Sequence, residues 1–192
     1  MLQYALKEWA VICQALAAGQ QAVLLRKGGI ADDVESFQLE HKRFWLFPTY
    51  VHQQSRGIKA EALPLLEKAQ SERPLPGVVR LTHFAEVPGV YQVQELPPAL
   101  MIGHLHLWSE EIVRQRFAYR RPGLCVMPVR VYSIGGAYEI PDTPEYAGCR
   151  SWVSVDDEID IEGSTAVLRE EELERKVTEV AELLSSSVSV LA

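Results

Sequence analysis

The stretch that decides the fold runs from Leu124 to Ile134 and has the sequence Leu-Cys-Val-Met-Pro-Val-Arg-Val-Tyr-Ser-Ile. Its valines, isoleucine and tyrosine are residues that favour strands. Pro128 interrupts the stretch, and because proline cannot donate a ladder hydrogen bond, it predicts an edge strand or a bulge at that point. The chain is therefore expected to contain a sheet, with this stretch as its strongest strand.

Shorter strand patterns lie on both sides of this stretch. Apolar runs bounded by glycine or proline predict strands over residues 21–26, 43–47, 78–84, 90–95 and 149–155. Because strands that follow each other along a chain usually pair, we expect the first two to be neighbours in the sheet. Pro88-Gly89 lies between the third and the fourth, so these two are predicted to form a hairpin.

Four segments have the apolar spacing or composition of helices. Residues 4–18 place apolar side chains three and four apart and end at Gly19, residues 59–70 have helical composition around Pro64, and Ser109 is a typical N-cap. The most regular segment is an acidic C-terminal helix over about residues 165–184. Its apolar stripe consists of Leu168, Leu173, Val177, Val180 and Leu184.

The irregular order of these strands and helices is typical of the α+β class. We expect a mixed or antiparallel sheet of about six strands, flanked by about four helices. The chain has 192 residues, 47% of them hydrophobic, which is enough to bury a core. One domain over residues 1–192 is therefore the expectation.

The net charge of −7 is unevenly distributed. Residues 156–184 carry eleven acidic side chains against three basic ones, whereas residues 1–155 carry 15 acidic and 16 basic ones. The acidity thus belongs to one C-terminal segment, and the rest of the chain is close to neutral. A nucleic-acid or phosphate partner is not excluded by the overall charge.

The sequence has no signal that directs it to a membrane or out of the cell. It contains no apolar run of about 18 residues, and its first residues lack the layout of a signal peptide. A cytoplasmic protein with no membrane partner is expected. Its three cysteines include no C-x-x-C pair, which argues against a disulfide framework and a structural zinc site, and we predict buried thiols and no cofactor.

The first candidate site follows the predicted strand at residues 21–26, in the string Arg26-Lys27-Gly28-Gly29. Two cations beside two glycines can form a turn whose backbone N–H groups hold an anion such as phosphate. His52 and Gln53 follow the next predicted strand and could reach the same end of the sheet. The alternative is a tight turn with solvated cations, and the spacing is not that of a P-loop.

The second candidate is the basic segment 114–121, in which four arginines alternate with Phe117 and Tyr119. Arginines that contact phosphates next to aromatic stacking platforms are typical of nucleic-acid sites, so Arg116 and Arg120 are predicted to form a second wall. The alternative is structural, because basic residues at the end of a helix also interact favourably with its dipole.

Two metal-dependent patterns are weaker. His104 and His106 are two residues apart, which is a workable half-site for a metal if the segment is extended. Asp33, Glu40 and Lys42 match the carboxylate-carboxylate-lysine set of metal-dependent nucleases, although their spacing barely allows a hairpin.

Several strings of the sequence occur together in one known family. They are Trp9, Leu24-Leu25-Arg26-Lys27-Gly28-Gly29-Ile30, Phe44-Trp45-Leu46-Phe47-Pro48-Thr49 with His52-Gln53, Arg116-Phe117-x-Tyr119-Arg120, Leu124, Arg130-Val131-Tyr132 and Tyr146-x-Gly148-Cys149-x-Ser151-Trp152. In these strings the chain resembles the uncharacterised bacterial family called domain of unknown function 1802, frequent in cyanobacteria. The resemblance covers nearly the whole chain and implies a complete, stand-alone member, but no activity, since the family has none assigned.

The candidate sites together predict a binding domain for a phosphate-bearing ligand, either a nucleotide or a nucleic acid. The expected cleft is formed by Arg26, Lys27, Gly28, Gly29, His52 and Gln53, with Arg116 and Arg120 on the facing wall. One alternative is a metal-dependent phosphodiesterase or nuclease that uses Asp33, Glu40 and Lys42. Another is a scaffold whose surface docks a second protein.

Overall fold

The computed structural model describes residues 1–27, 39–51, 53–148, 150–184 and 188–191. The strands are β1 (Leu2–Trp9), β2 (Val23–Arg26), β3 (Arg43–Thr49), β4 (Val78–Glu86), β5 (Val90–Val93), β6 (Leu124–Pro128), β7 (Arg130–Pro141), β8 (Trp152–Ile159), β9 (Thr165–Ala166) and β10 (Val188–Leu191). The α-helices are α1 (Ala10–Ala17), α2 (Leu63–Ser71), α3 (Leu96–Met101), α4 (Glu110–Ala118) and α5 (Glu170–Leu184).

The described strands form two sheets. The first has the order β8-β1-β3-β4-β7-β9 and is mixed, because β1 and β3 run parallel while its other pairs are antiparallel. The second has the order β10-β5-β6-β2 and is antiparallel throughout. The α+β class with a mixed sheet is confirmed, although the described residues form more strands than predicted and divide them between two sheets.

The first sheet is packed on both faces. On β1 and β3, alternate residues point to opposite faces, as in any strand. Leu6 and Leu46 belong to the larger core, which also contains the second sheet, whereas Ala5 and Trp45 belong to a smaller core on the other face. Both faces of these two strands are thereby packed against apolar side chains.

The prediction of a single helix over residues 4–18 is wrong in its first half. Residues Leu2–Trp9 form β1, which pairs with β3 on one side and β8 on the other, and the helix begins only at Ala10. A strand with apolar residues on both faces does not alternate strictly between apolar and polar side chains. Its pattern therefore resembled helical spacing.

The predicted strand pairings are also wrong. β2 pairs with β6 in the second sheet, whereas β3 lies between β1 and β4 in the first. β4 and β5 do not form a hairpin, since they belong to different sheets. The connections after β2 and β4 carry the chain from one sheet to the other, so neighbours in sequence are not neighbours in a sheet.

The stretch 124–134 is divided between the two sheets. β6 ends at Pro128, which has no N–H group with which to continue the ladder, and β7 begins at Arg130. Between them, Val129 is buried, and its backbone N–H donates to the carbonyl oxygen of Ala22 at 2.9 Å. The proline thus marks a corner between sheets rather than an edge strand or a bulge.

Three features of the helices follow the sequence closely. α2 begins at Leu63 with Pro64 in its first turn, and Oγ of Ser109 accepts a hydrogen bond from the backbone N–H of Ile112 at 3.3 Å at the start of α4. α5 ends at residue 184 as predicted but begins at Glu170, because residues 165–166 form β9.

Within the described ranges, no helix is both long and apolar enough to cross a bilayer.

Candidate functional site

A cleft with a volume of about 770 Å³ opens where the parallel strands β1 and β3 end. Its lining comes from five places: the end of β1 with Arg26 at the end of β2, residues 47–51 at the end of β3, residues 73–80, Arg116 on α4, and residues 142–144, 146–148 and 150–151 before β8. Because β1 and β3 are parallel, their final residues Trp9 and Thr49 lie side by side. The cleft is therefore built on a rigid sheet edge.

Arg26 lies in the floor of the cleft and connects three segments. Its Nη1 donates to the carbonyl oxygen of Lys7 at 3.0 Å and to Oε2 of Glu8 at 3.3 Å, while its Nη2 donates to Oγ of Ser151 at 2.8 Å. The side chains of Arg26 and Glu8 are only 13% and 2% exposed. Glu8 also accepts from the backbone N–H of Trp9 at 2.8 Å, so this acid is fixed from two sides.

Arg116 lies beside this pair and rests on two tryptophans. Its guanidinium carbon is 3.7 Å from the ring centre of Trp108 and 5.7 Å from that of Trp9, and its Nη1 donates to the carbonyl oxygen of Leu25 at 3.1 Å. Among the described residues no carboxylate lies within salt-bridge distance of Arg116. This guanidinium is thus held by stacking rather than by an ion pair.

Burial lowers the pKa of Arg116 to about 10. The negative charge of Glu8 raises this pKa and the positive charge of Arg26 lowers it, but both effects are smaller than that of burial. The group still carries its charge at neutral pH, but the lowered pKa means that the protein only partly compensates the cost of removing this charge from water. An anion placed against Arg116 would be stabilised.

The described lining carries more basic than acidic side chains, although one of the basic residues, Arg80, is paired with Glu139 outside the lining. Six basic residues line the cleft, against the two acids Glu8 and Asp142. The six are Lys7, Arg26, Arg73, Arg80, Arg116 and Arg150. Since the whole chain has a net charge of −7, this surplus is local to the cleft.

One wall of the cleft is aromatic and apolar. Tyr50 lies 4.8 Å from the guanidinium carbon of Arg73, measured to its ring centre, and burial raises the pKa of its hydroxyl. At the rim, Leu75 is 80% exposed and Val51 is 66% exposed. Large apolar side chains at the mouth of a cationic cleft suit a ligand that has both a charged and an apolar part.

The structure brings two of the sequence-predicted residues, Arg26 and Arg116, into this one cleft. Lys27 points elsewhere: its Nζ donates to the carbonyl oxygens of Phe117 at 3.3 Å, Gly123 at 2.7 Å and Arg121. The Phe117 carbonyl lies in the last turn of α4 and the other two follow the end of that helix, where cations interact favourably with the helix dipole. Burial, with a contribution from Arg121, lowers the pKa of Lys27.

Gln53 and Arg120 also lie away from the lining of the cleft. The side-chain oxygen of Gln53 accepts from the backbone N–H of Val11 at 3.2 Å, so it caps the beginning of α1. Arg120 is exposed, with its guanidinium carbon 5.4 Å from the ring centre of Tyr119 and with a positive φ of 60°. The predictions for Gly28, Gly29 and His52 fall outside the described residues.

The candidate metal ligands that the structure describes do not form a metal site. Glu40 and Lys42 are exposed ahead of β3 and Asp33 lies outside the described residues, whereas His104 is exposed with its Nε2 2.5 Å from Oε1 of Glu179 and His106 is buried. In the described part of the chain, no three His, Cys, Asp or Glu side chains are grouped so that they could hold a metal ion.

The sequence interpretation missed several residues of the cleft. Lys7 and Glu8 were missed because the sequence predicted a helix over their segment. Arg73 and Arg80 belong to no motif in the sequence that indicates a site. Ser151 carried a signal, since it belongs to the string Tyr146-x-Gly148-Cys149-x-Ser151-Trp152. That string was noted only for its resemblance to a family, yet residues 146–148 and Ser151 line the cleft.

The model of the family described as Domain of unknown function (DUF1802) matches residues 5–179. The chain belongs to this family. The match includes Lys7, Arg26, Arg116 and Ser151, so the cleft lies within the part of the chain that defines the DUF1802 family. No curated protein matches the sequence of this DUF1802 chain.

Among solved structures, the chain is similar to the ASCH protein from Zymomonas mobilis, with 14% identity, a TM-score of 0.45 and coverage of 97% of this chain and 95% of that one. A serine-to-alanine mutant of that protein matches with 15% identity, a TM-score of 0.42 and coverage of 92% and 94%. At this level of likeness, no role is carried from those proteins to this DUF1802 chain.

Proposed function

We propose that the chain binds a phosphate-bearing ligand, a nucleotide or a nucleic acid, in the cleft whose floor contains Arg26 and Arg116. The observation that carries this proposal is the charge of the lining, six basic residues against two acids in a chain of net charge −7. A surplus of like charges costs free energy, and a negatively charged ligand removes that cost. The fixed guanidinium geometry matches phosphate oxygens.

The arrangement in the floor supports a role for Arg116 more than for Arg26. Glu8 and Ser151 already accept hydrogen bonds from the Arg26 guanidinium, whereas Arg116 has no carboxylate partner among the described residues. Arg150 is exposed at the rim and adds a further cation. The ligand phosphate is therefore expected to contact Arg116, with Arg26 and Glu8 holding the floor in shape.

The test is a fluorescence anisotropy titration of a labelled single-stranded decanucleotide at several salt concentrations. Arg116→Gln and Arg150→Gln should each weaken binding about tenfold, because a charge-assisted hydrogen bond is lost. Each should also flatten the log-log salt dependence by about 0.7, the slope per phosphate contact on a single strand. Thermal melts identify any variant that has lost its fold.

The matched control is Arg114→Gln. Arg114 lies two residues before Arg116 on the same helix, is exposed, and pairs with Glu110 at 2.7 Å away from the cleft lining. Its replacement should leave both affinity and salt slope unchanged. Equal losses in all three variants would indicate non-specific attraction, and unchanged binding in Arg116→Gln and Arg150→Gln would remove this cleft as the site.

A further inference from the structure

A second cavity of about 460 Å³ adjoins the cleft. It lies between the helices α1 and α2 on one side and the strands β4 and β7 on the other. Four residues line both cavities, namely Pro48, Tyr50, Pro74 and Arg80. The two cavities therefore form neighbouring compartments, with Tyr50 at their junction.

The wall of the second cavity contains an irregular section of β7. Leu81 on β4 pairs with Tyr138 and His83 pairs with Ser133, so residues 134–137 stand opposite Thr82 alone. Bulges of this kind are common next to binding sites, where they redirect the backbone. This one brings Gly135 and Gly136 into the lining of the cavity.

The two glycines leave backbone uncovered. Gly135 has a φ of +71°, which explains glycine there, but a Cβ on either residue would meet no atom within 4 Å. Packing within the protein thus does not require both side chains to be absent. Their absence leaves exposed backbone at the wall of the second cavity, where a ligand can approach it closely.

The chemistry of the second cavity differs from that of the cleft. Its polar lining includes Gln14, Thr82, His83 and Ser133, which donate and accept hydrogen bonds without a fixed charge at neutral pH, since burial lowers the pKa of His83. Its few charges are Glu72, Lys68 and Arg80, and Glu72 lies 4.0 Å from Lys68. The cleft suits phosphate, and the second cavity suits the neutral hydrogen-bonding groups of a base or a sugar.

The volumes indicate how much of a ligand the two compartments hold. Pockets for a single small ligand measure about 300–1,000 Å³, and the cleft of about 770 Å³ already falls in that range without the second cavity. An aromatic ring at the junction offers a surface on which a base can stack, and such stacking is the usual way of holding successive bases of a single strand.

We propose that the ligand is a single-stranded oligonucleotide that spans both compartments, with one phosphate against Arg116, a base stacked on Tyr50 and the next nucleotide in the second cavity. This inference rests on the proposed function and deepens it. It requires that a single nucleotide fills only part of the site, so chain length must raise affinity.

The experiment compares the affinities of a mononucleotide, a dinucleotide and a tetranucleotide of the same base, in competition with the labelled decanucleotide. The wild-type protein should bind the tetranucleotide at least about tenfold more tightly than the mononucleotide, since one more stacked base is engaged. Gly136→Leu, which adds a large side chain to a residue that lines the second cavity, should abolish this difference and leave the mononucleotide affinity unchanged.

The matched control is Gly89→Leu, since Gly89 lines neither cavity and its nearest neighbour would be Tyr91 at 3.9 Å. It should retain the full dependence on length. Equal affinity for all lengths in the wild type would overturn the inference and leave the proposed function standing, as would an equal loss for every length in Gly136→Leu. A failure of every length to bind the wild type would overturn both.

Discussion

His106 is 2% exposed, and neither of its ring nitrogens has a hydrogen-bond partner among the described residues. Burial, with smaller contributions from Lys59, Arg116 and His104, lowers its pKa to about 4. The folded protein therefore holds this side chain neutral, while in the unfolded chain it binds a proton near the ordinary pKa of about 6.5. The resulting stabilisation is complete above about pH 6.5 and is lost as the pH falls towards 4, by about 2 kcal/mol at about pH 5.

Urea unfolding at about pH 7.5 and 5 checks this prediction. His106→Leu removes both unpaired nitrogens, so it should unfold with much less difference between the two pH values than the wild type. His104→Leu is the control, because His104 is exposed and contributes less to the pKa shift of His106 than burial does, so most of the dependence on His106 should remain. An unchanged pH dependence in His106→Leu would assign the acid sensitivity to other groups.

At the level of single residues, the sequence predicted part of the candidate site. It singled out Arg26 and Arg116, which the structure places in one cleft, but it grouped Arg26 with Lys27 because they are adjacent. Adjacent residues of an extended chain point in opposite directions. Arg26 therefore faces the cleft and Lys27 faces the end of α4, and only knowledge of the strand's neighbours distinguishes the two.

Among the elements, α5 gives the sharpest test of packing. Leu173, Val180 and Leu184 are buried, whereas Val177 is only half-buried and Glu171 is exposed. Val180→Asp places a carboxylate in the larger core, so it should cost several kcal/mol and unfold the protein in thermal melts. Val177→Asp should cost less, and Glu171→Gln should change stability by no more than about 0.5 kcal/mol. A harmless Val180→Asp would mean that α5 is not packed in solution.

The elements that the sequence predicted well are those whose local signals suffice. Ser109 caps α4 and Pro64 lies in the first turn of α2, and both signals act within one helical turn. β1 was missed because its partners, β3 and β8, lie about 40 and 150 residues away along the chain. No local pattern reports such distant pairing, and the doubly buried strand imitates a helix.

For the whole molecule, the single domain stays a prediction, and the pairing of strands shows how to test it. The exposed turn at residues 74–77 divides the sequence, but β1 pairs with β8, β2 with β6 and β3 with β4 across it. Expressed separately, residues 1–75 and 76–192 should each lack cooperative unfolding by circular dichroism and regain it when mixed. A cooperative melt of either part alone would show two independent units.

The division into two sheets could not be predicted from the sequence. Pro128 signalled an interruption, and a proline on an edge strand, at a bulge or at a corner removes the same donor. Which of these occurs depends on where β7 finds its partner β4, some 50 residues earlier in the chain. The two sheets are therefore a property of the assembled chain and not of any one segment.

The uneven charge of the molecule has a kinetic consequence. A nucleic acid, the class of ligand proposed for the cleft, would be repelled by the acidic segment at residues 156–184 and attracted towards the cationic cleft. Encounters with the acidic segment would be short-lived, and encounters at the cleft would be prolonged. The acidic segment, although its described residues take no part in the cleft lining, would thus bias the route by which such a ligand arrives.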